Sequence, residues 1–341
     1  MKSVTNLILI LLAISAATPA ISHHSKGHID MDDIRIHSGV VVKFGWSMPH
    51  VYLKVNAPNE KGEIVEYSIE MNHPPAMKSV GWERDTFKPG DRITWQGQHA
   101  KDKSRYFMRL VWAELESGTR LGMDDLVVRE IIPSTDFTGL WRRNDTGGEK
   151  GHKVKGHYTP PEGWPLNDVG RTMVDNFDPD EHPMVTCGNP GPPKSMILPY
   201  PVLITRPDEN TVVMERELMS EKRYIYLNPD QAPVPSEPSK MGYSIGRIEG
   251  DEFIIETTNF SADKWGTHTG IDSSDQKHLL ERFWMSDDGI FLMVEITVTD
   301  PVYFTEPVVF NHRWKKLADR EVIQVPCSLE SSRLYLEGGS R

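Results

Sequence analysis

Cysteine is scarce in this chain of 341 residues, which contains only Cys187 and Cys327. The two lie far apart, so the Cys-x-x-Cys spacing of thioredoxin-type redox sites and zinc ribbons is missing. In an oxidising compartment an isolated cysteine pair favours a disulfide. We therefore expect Cys187 and Cys327 to pair, and the alternative is two buried free thiols.

Long apolar runs and an excess of positive charge are also missing. The one clear apolar run, Leu7–Ala17, is 11 residues long, whereas a transmembrane helix needs about 20. The 38 lysines and arginines face 49 aspartates and glutamates, which gives a net charge of −11. Because nucleic acids and anionic lipids attract basic surfaces, this balance predicts no nucleic-acid partner and no stable membrane insertion.

The N-terminus has the pattern of a secretory signal peptide, which we assign to residues 1–22. Lys2 supplies a positive charge, the apolar run follows, and small residues come next. Two cleavage sites are plausible, one before Ile21 and one before His23. The mature protein is then expected in the periplasm or outside the cell, and an N-terminal anchor is the alternative.

The remaining chain divides into two units of different charge. The first, 23–133, holds 15 basic and 16 acidic residues, and the remainder, 134–341, holds 22 and 33. Different electrostatics on the two sides of a segment indicate separate units. We place the seam near Ile132–Thr135 and assign 134–318 to a second domain, followed by a tail at 319–341.

Both units have the period-two alternation of half-buried strands. In the first unit, Val51–Val55, Val65–Met71 and Ile93–Gln96 alternate, and Pro75–Val80 is the only short helical candidate. This order predicts a small Greek-key barrel of OB type. The second unit predicts a larger antiparallel barrel interrupted by a long irregular loop, Thr146–Pro201. Its strand candidates are Phe137–Arg142, Val202–Thr205, Thr211–Glu215, Arg223–Leu227, Tyr243–Ile248, Glu252–Thr258, Leu279–Trp284, Gly289–Thr299 and Val308–Lys315.

The first unit resembles DUF6152, a family of uncharacterised exported bacterial proteins. The resemblance rests on His23–Ser25 (HHS), Gly39–His50 (GVVVKFGWSMPH), Ile69–Trp82 and Leu110–Leu121, which occur in this order. Met48 departs from the pattern, in which Asn precedes Pro-His. The resemblance implies export and brings no known activity.

The second unit resembles calycin barrels of the lipocalin type. Such barrels open with G-x-W, here Gly139 and Trp141, and an arginine of the last strand, here Arg313, stacks on the tryptophan. The stretch Met241–Asp300 is similar to the C-terminal part of uncharacterised bacterial proteins that combine both units. The resemblance implies an all-β architecture, namely an OB-like barrel followed by a calycin-like barrel.

The mature N-terminus is the strongest candidate for chemistry. If cleavage exposes His23, its amino group and imidazole can chelate a metal, and a second imidazole completes a three-nitrogen set suited to Cu(II). If cleavage exposes Ile21, the amine, two amides and the imidazole of His23 form a square-planar Cu(II) or Ni(II) site. Both cuts point to copper as the cofactor; solvated terminal histidines are the alternative. The expected ligands are His23, His24 and His50, with His28 and His73 as alternatives.

The larger barrel is expected to hold a small apolar or amphipathic ligand, because an eight-stranded barrel can enclose one small molecule. A filled core is the alternative. Cavities orient ligands with few polar groups, and such groups are available here. The residues expected to contact a ligand are Arg223, Tyr226, Trp284 and Arg313.

Catalysis is the alternative to this binding function, at the copper site or in the region of His268. That histidine could act as a general base, oriented by Asp275 or Glu281. The chain has no H-E-x-x-H motif and no P-loop motif, and we do not interpret Ser244 as a triad serine. Sequence reasoning therefore favours an exported binding protein over an enzyme, and a structural or partner-binding module is the third possibility.

Overall fold

The computed structural model describes residues 28–123, 132–144, 163–234, 237–318 and 320–338. These residues form two β-barrels, one after the other, so the predicted all-β class is confirmed. The predicted leader, 1–22, and the predicted ligands His23 and His24 lie outside the described residues. In the described ranges no helix is both long and apolar enough to cross a lipid bilayer.

The first barrel is built from five strands, an added edge strand and a short helix. Strands β1 to β5 close into a ring in the order β1-β2-β3-β5-β4. The ring closes because β3 pairs with β5 in parallel, and the other neighbouring strands of the ring pair antiparallel. This ring, with a helix between β3 and β4, agrees with the predicted OB type. The elements are β1 (Ile29–Gly45), β2 (Tyr52–Pro58), β3 (Ile64–Glu70), α1 (Pro74–Ser79), β4 (Arg92–Ala100), β5 (Phe107–Leu115) and β6 (Arg120–Gly122).

The predicted alternation fills the interior of this small barrel. Val51, Leu53 and Val55 are fully buried in its core. The opposite face of the same strands is also partly buried: Tyr52 is 2% exposed and Glu70 is 6% exposed. Period two alone predicts a solvated outer face, so another part of the chain must cover it.

The second barrel has nine strands that follow one another around the ring and close where β17 pairs with β7. All nine predicted strands are present within a few residues, and one pair, β10–β11, is parallel. A hairpin, β13–β14, interrupts the order between β12 and β15. The strands are β7 (Gly139–Arg143), β8 (Val202–Asp208), β9 (Thr211–Arg216), β10 (Lys222–Tyr226), β11 (Tyr243–Glu249), β12 (Glu252–Thr258), β13 (Asp263–His268), β14 (Ile271–Ser273), β15 (His278–Met285), β16 (Phe291–Thr299) and β17 (Val308–Lys316).

Strand β16 illustrates how the large barrel is packed. Leu292, Val294, Ile296 and Val298 are at most 1% exposed, while the residues between them are half-buried. The inward side chains of the other strands join the same core. The barrel interior is therefore occupied by side chains, as in the filled-core alternative.

The irregular segment before β8 packs against one end of the large barrel. It contains α2 (Asp168–Asp175), two 3₁₀ turns at Pro179–Glu181 and Pro183–Thr186, and α3 (Lys194–Ile197). Trp164 lies 5.3 Å from Phe310, and Phe177 lies 5.2 Å from Trp265, between ring centroids. Met196 and Ile197 enter the barrel core. We call Gly191–Ile197 the cap segment.

The segment expected to be a tail contains a helix, α4 (Leu329–Gly338), which packs back onto the small barrel. Leu334 is 1% exposed and shares a cluster with Tyr52 and Phe107. The predicted disulfide between Cys187 and Cys327 is present just before this helix. The C-terminal segment therefore links two parts of the chain. Its disulfide holds the irregular segment before β8, and α4 packs on the outer face of the small barrel.

The cation at the closed end of the large barrel is not the predicted one. Lys316, not Arg313, lies over Trp141, with Nζ 5.9 Å from the ring centroid. Arg313 stacks on Phe291 at 4.6 Å instead. The reason is strand parity: Trp314 is buried, so Lys316 shares its inward side while Arg313 falls on the outward side.

Candidate functional site

His50 is held in a defined orientation at the junction of the small barrel and α4. Its Nδ1 lies 3.0 Å from the carbonyl oxygen of Met71 and 3.4 Å from a carboxylate oxygen of Glu70. The backbone N–H of His50 donates to the Ser331 hydroxyl, and that hydroxyl donates to the carbonyl of His50. The side chain is 28% exposed, so the ring remains partly accessible.

These contacts select one tautomer of the ring. A carbonyl oxygen can only accept, so Nδ1 carries the hydrogen and Nε2 presents its lone pair in the neutral form. Metal-binding histidines commonly donate their second nitrogen to a carbonyl or carboxylate in this way, which fixes the ring and raises its basicity. The sequence-predicted ligand His50 therefore has the orientation expected of an imidazole ligand.

His73, one of the alternative ligands, serves the local structure. Its Nδ1 accepts from the backbone N–H of Ala76 and caps α1. The ring packs 4.8 Å from that of Tyr200, between centroids. Burial, with added repulsion from Arg142 and His50, lowers the pKa of His73 to about 3. Because Nδ1 is already an acceptor for the helix, only Nε2 remains for any other role.

His28, the other alternative, is the first described residue and is 7% exposed. Its ring meets that of Phe107 edge-on at 5.2 Å, and its carbonyl accepts from the N–H of Lys101. Phe107 belongs to the cluster that Leu334 of α4 closes. The start of β1 and His50 therefore both lie beside α4.

Two further histidines of the small barrel, His37 on β1 and His99 on β4, were not singled out from the sequence. Their Nε2 atoms lie 3.0 Å apart. His37 stacks on Trp95 at 5.4 Å and packs 4.8 Å from Tyr67. His99 lies an even number of positions after Trp95 on β4, so both side chains face the same side of the sheet. His37 on β1 joins them only because it pairs with Trp95, and this register cannot be read from the sequence.

A buried ion pair occupies the large barrel. Both carboxylate oxygens of Glu281, which is fully buried, accept from Arg223. Arg223 also donates to Ser244 at 3.0 Å and to Thr257 at 2.6 Å. Arg282, the next residue in sequence, pairs with Glu252 on the outer side of the barrel.

A second charged pair lies beside the cap segment. Arg216, 2% exposed, has its Nε 3.4 Å from Glu221 and also donates to the sulfur of Met196 at 2.9 Å. Burial lowers the pKa of Arg216 and raises that of Glu221. Lys194 of the cap donates to the Thr269 hydroxyl, and burial lowers its pKa to about 7. In all three groups burial disfavours the charged form, because charge in a low-dielectric interior carries a high cost in hydration.

Of the four residues expected to contact a ligand, only Arg223 is on the inward side of its strand. Tyr226 and Trp284 lie half-buried on the alternate, outward positions of β10 and β15, and Arg313 does so on β17. Their predicted place inside the barrel is therefore wrong. Residue type alone does not show which face of a strand a side chain occupies. The face follows from the alternation with buried residues such as Ile225, Phe283 and Trp314, which places the three side chains outward.

The three residues considered for catalysis occupy different environments. His268 is 1% exposed and lies among the rings of Trp164 and Phe310, whereas Asp275 is exposed. Glu281 is held by Arg223. The structure therefore gives no support to Asp275 or Glu281 as the orienting partner of His268.

Ser244 belongs to a G-x-S-x-G segment, Gly242–Gly246, which the sequence reasoning overlooked. In hydrolases this motif forms a sharp turn between a strand and a helix. Here Ser244 lies within β11, 1% exposed, and bonds with Arg223 and Thr257. The segment therefore lacks the geometry of a nucleophile.

In the part of the chain that the structure describes, no group of three or more His, Cys, Asp or Glu side chains is arranged to hold a metal. A metal site that includes His50 therefore needs donors from beyond these residues or from solvent.

Residues 11–108 match the sequence model of DUF6152, a family of unknown function, which confirms the resemblance of the N-terminal third. No curated protein and no solved structure matches the chain. The comparisons therefore support the DUF6152 resemblance of the N-terminal third, and they carry no information about function.

Proposed function

We propose that this is an exported copper-binding protein in which His50 and the histidines of the mature N-terminus form the site. The observation that carries the proposal is the orientation of His50 by Met71 and Glu70, which leaves Nε2 as a lone-pair donor. Neutral imidazole nitrogens suit Cu(II), which binds such donors more tightly than other divalent first-row metals.

The position of β1 supports the partnership with His23. Ile29 lies in the cluster closed by Leu334, and Ser331, which holds His50, is three residues earlier on the same helix. Three residues of helix rise only about 4.5 Å. His23 precedes His28 by five residues, a length that spans at most about 17 Å when extended. The proposal therefore requires residues 23–27 to run from the start of β1 towards His50.

Export is supported by two independent features. The leader pattern, with its apolar run Leu7–Ala17, is that of a signal peptide. The disulfide Cys187–Cys327 fits an oxidising compartment such as the periplasm.

The test combines N-terminal sequencing of the secreted protein with Cu(II) titration followed by electron paramagnetic resonance. We expect His23→Ala and His50→Gln each to alter the nitrogen hyperfine pattern and to weaken binding at least about tenfold. The variant His278→Gln, at a half-buried outward position of β15, is the matched control. A mature protein that starts at neither Ile21 nor His23, or a spectrum unchanged in both variants, would refute copper binding at the N-terminus, and a start at Ile21 would remove His50 from the ligand set.

A second candidate function is binding of a small amphipathic carboxylate by the large barrel. Arg216 carries it: this buried guanidinium has a carboxylate, Glu221, at 3.4 Å and lies 5.7 Å from the ring of Trp314. Because side chains fill the barrel interior, a ligand carboxylate would have to take the place of Glu221 and its apolar part the place of Met196 and Ile197 of the cap segment. Maintaining a buried charge is costly, and such groups often mark functional sites.

Trp314 offers a reporter for this candidate. Titration with dodecanoate should change the fluorescence of wild-type protein and leave that of Arg216→Met unchanged. Lys222→Met, an exposed change on the neighbouring strand, is the control. Equal responses of wild type and Arg216→Met would rule out the barrel as the binding site.

A further inference from the structure

The first half of β1 has a neighbouring strand on one side only. From Val40 onwards β1 pairs with β2, whereas Ile34–Gly39 pair with β4 and with no other strand of the described residues. Asn56 of β2 pairs with Val40, so the same register sets Pro58 opposite Ser38. Proline has no N–H, so the ladder between β1 and β2 ends there. In the part of the chain that the structure describes, this stretch of β1 is therefore an open strand edge.

Alternate residues of this stretch turn their peptide groups towards the open edge. The N–H of Val41 donates to the carbonyl of Asp91, just before β4, at 2.8 Å. In an antiparallel ladder every second residue bonds to the same neighbour, so Ile34 and Ile36 direct their N–H and C=O groups away from β4. Their side chains are 48% and 60% exposed. Peptide groups on an open edge, beside exposed isoleucines, form a template on which a further strand can pair.

We propose that this edge pairs with the same edge of a second copy of the chain, antiparallel, with the two Ile34 residues opposite each other. Charge selects this occupant, because Asp33 of each copy then lies opposite Arg35 of the other, at a position where Cα atoms are about 4.5 Å apart. Within one copy, Nε of Arg35 lies 2.7 Å from Asp33. The four groups form a ring whose neighbours have opposite charge. Glu60 and Lys103, which bond to Arg35 and Asp33, add one charge of each sign per copy.

Neighbouring registers bring like charges together. If Ile34 were opposite Ile36, the two Arg35 side chains would face each other, and if it were opposite Asp32, the two Asp33 side chains would do so. Like charges directly opposite each other on a ladder destabilise it. The proposed register also gathers the exposed isoleucines of both copies on one face of the joined sheet. An edge of this length buries less than the roughly 800 Å² per partner of a standard interface, so the dimer is weak and depends on concentration.

The experiment is sedimentation velocity of the mature protein, with a metal chelator present, across a wide range of protein concentration. Wild type should shift from monomer to dimer as the concentration rises. Ile36→Asp should weaken the dimer at least about tenfold, because the dimer contains the change twice and each new carboxylate meets Asp32 of the other copy. The matched control is Ile248→Asp, at an exposed isoleucine of β11 that is 47% exposed. This control should form dimers as wild type does.

A mixture of charge variants tests the register itself. Arg35→Glu and Asp33→Lys should each form fewer dimers than wild type, because each sets like charges opposite each other. An equimolar mixture should recover the dimer, since unlike charges lie opposite each other in the mixed pair. The ion pair within each chain stays broken in both variants, so it cannot account for this recovery.

Three results would each overturn the proposal. The first is wild type that stays monomeric at every concentration, which would leave the open edge to an extended peptide of another protein. The second is equal dimer formation by Ile36→Asp and Ile248→Asp. The third is a mixture of the charge variants that forms no more dimer than the separate variants do.

Discussion

The disulfide between Cys187 and Cys327 should contribute strongly to stability, and its removal gives a sharp test of the C-terminal segment. The two cysteines are separated by 140 positions, so the bond closes a loop that contains nearly all of the large barrel. On the chain-entropy relation, a loop of this length removes about 17 cal/mol/K of entropy from the unfolded chain, or about 5 kcal/mol at 25 °C. Cys327→Ser should therefore lower the free energy of unfolding by up to about 5 kcal/mol.

Urea unfolding, followed by tryptophan fluorescence with and without reductant, measures this effect. Wild type should lose stability when reduced and approach the variant, while the variant itself should not respond to reductant. Leu334→Ala is the control for noncovalent attachment of α4, because loss of a buried leucine side chain costs about 2–5 kcal/mol in either redox state. If fully reduced wild type unfolds at the same urea concentration as oxidised protein, the loop-closure reasoning is wrong.

Two further predictions concern buried ionisable groups. Glu281→Gln leaves Arg223 without its counter-ion in the barrel and should lower the free energy of unfolding, measured with urea, by about 3–5 kcal/mol. The control Arg282→Gln, on the outer surface, should lower it by about 1 kcal/mol or less. Similar losses in the two variants would contradict the buried-pair assignment. The pKa of His73 is about 3 in the fold and 6.5 in an unfolded chain, so the unfolded chain takes up the proton first and stability falls as pH drops from 6.5 towards 3. His73→Asn keeps an N-cap acceptor and removes this titration. Between pH 7 and pH 5 the free energy of unfolding, measured with urea, should therefore fall by about 2 kcal/mol less in the variant than in wild type. If the free energies of unfolding of the two proteins fall in parallel with pH, His73 is not the titrating group.

The strands were predictable because their burial follows one simple period. In β16, polar and apolar residues alternate from Glu295 to Thr299. Both β12 and β16 lie between clear turns, and their observed bounds agree closely with the prediction. The helix α4 gave no such signal. Its buried side chains include Ser331, Ser332 and Leu334, so its docked face does not read as an apolar stripe.

The candidate sites depend on register, which the sequence does not reveal. His50 is oriented by Glu70, the last residue of β3, and by Met71, which follows it; both reach His50 because Tyr52 pairs with Glu70 and Met71 bonds to Val51. His37 and His99 are 62 positions apart and meet through the β1–β4 ladder. The cation over Trp141 could have been predicted from the sequence, because Lys316 lies two residues after Trp314 and therefore faces the same side of β17. The calycin resemblance instead predicted Arg313, which faces the opposite side.

The position of α4 also affects the order in which the protein can be completed during synthesis. Tyr52 and Phe107 of the small barrel are covered by Leu334, which is synthesised long after both of them. The small barrel therefore exposes this apolar surface until α4 has been made, and a fragment cut after residue 123 would keep the surface in water. A fusion joined directly after α4 adjoins the same surface, so a purification tag there needs a linker.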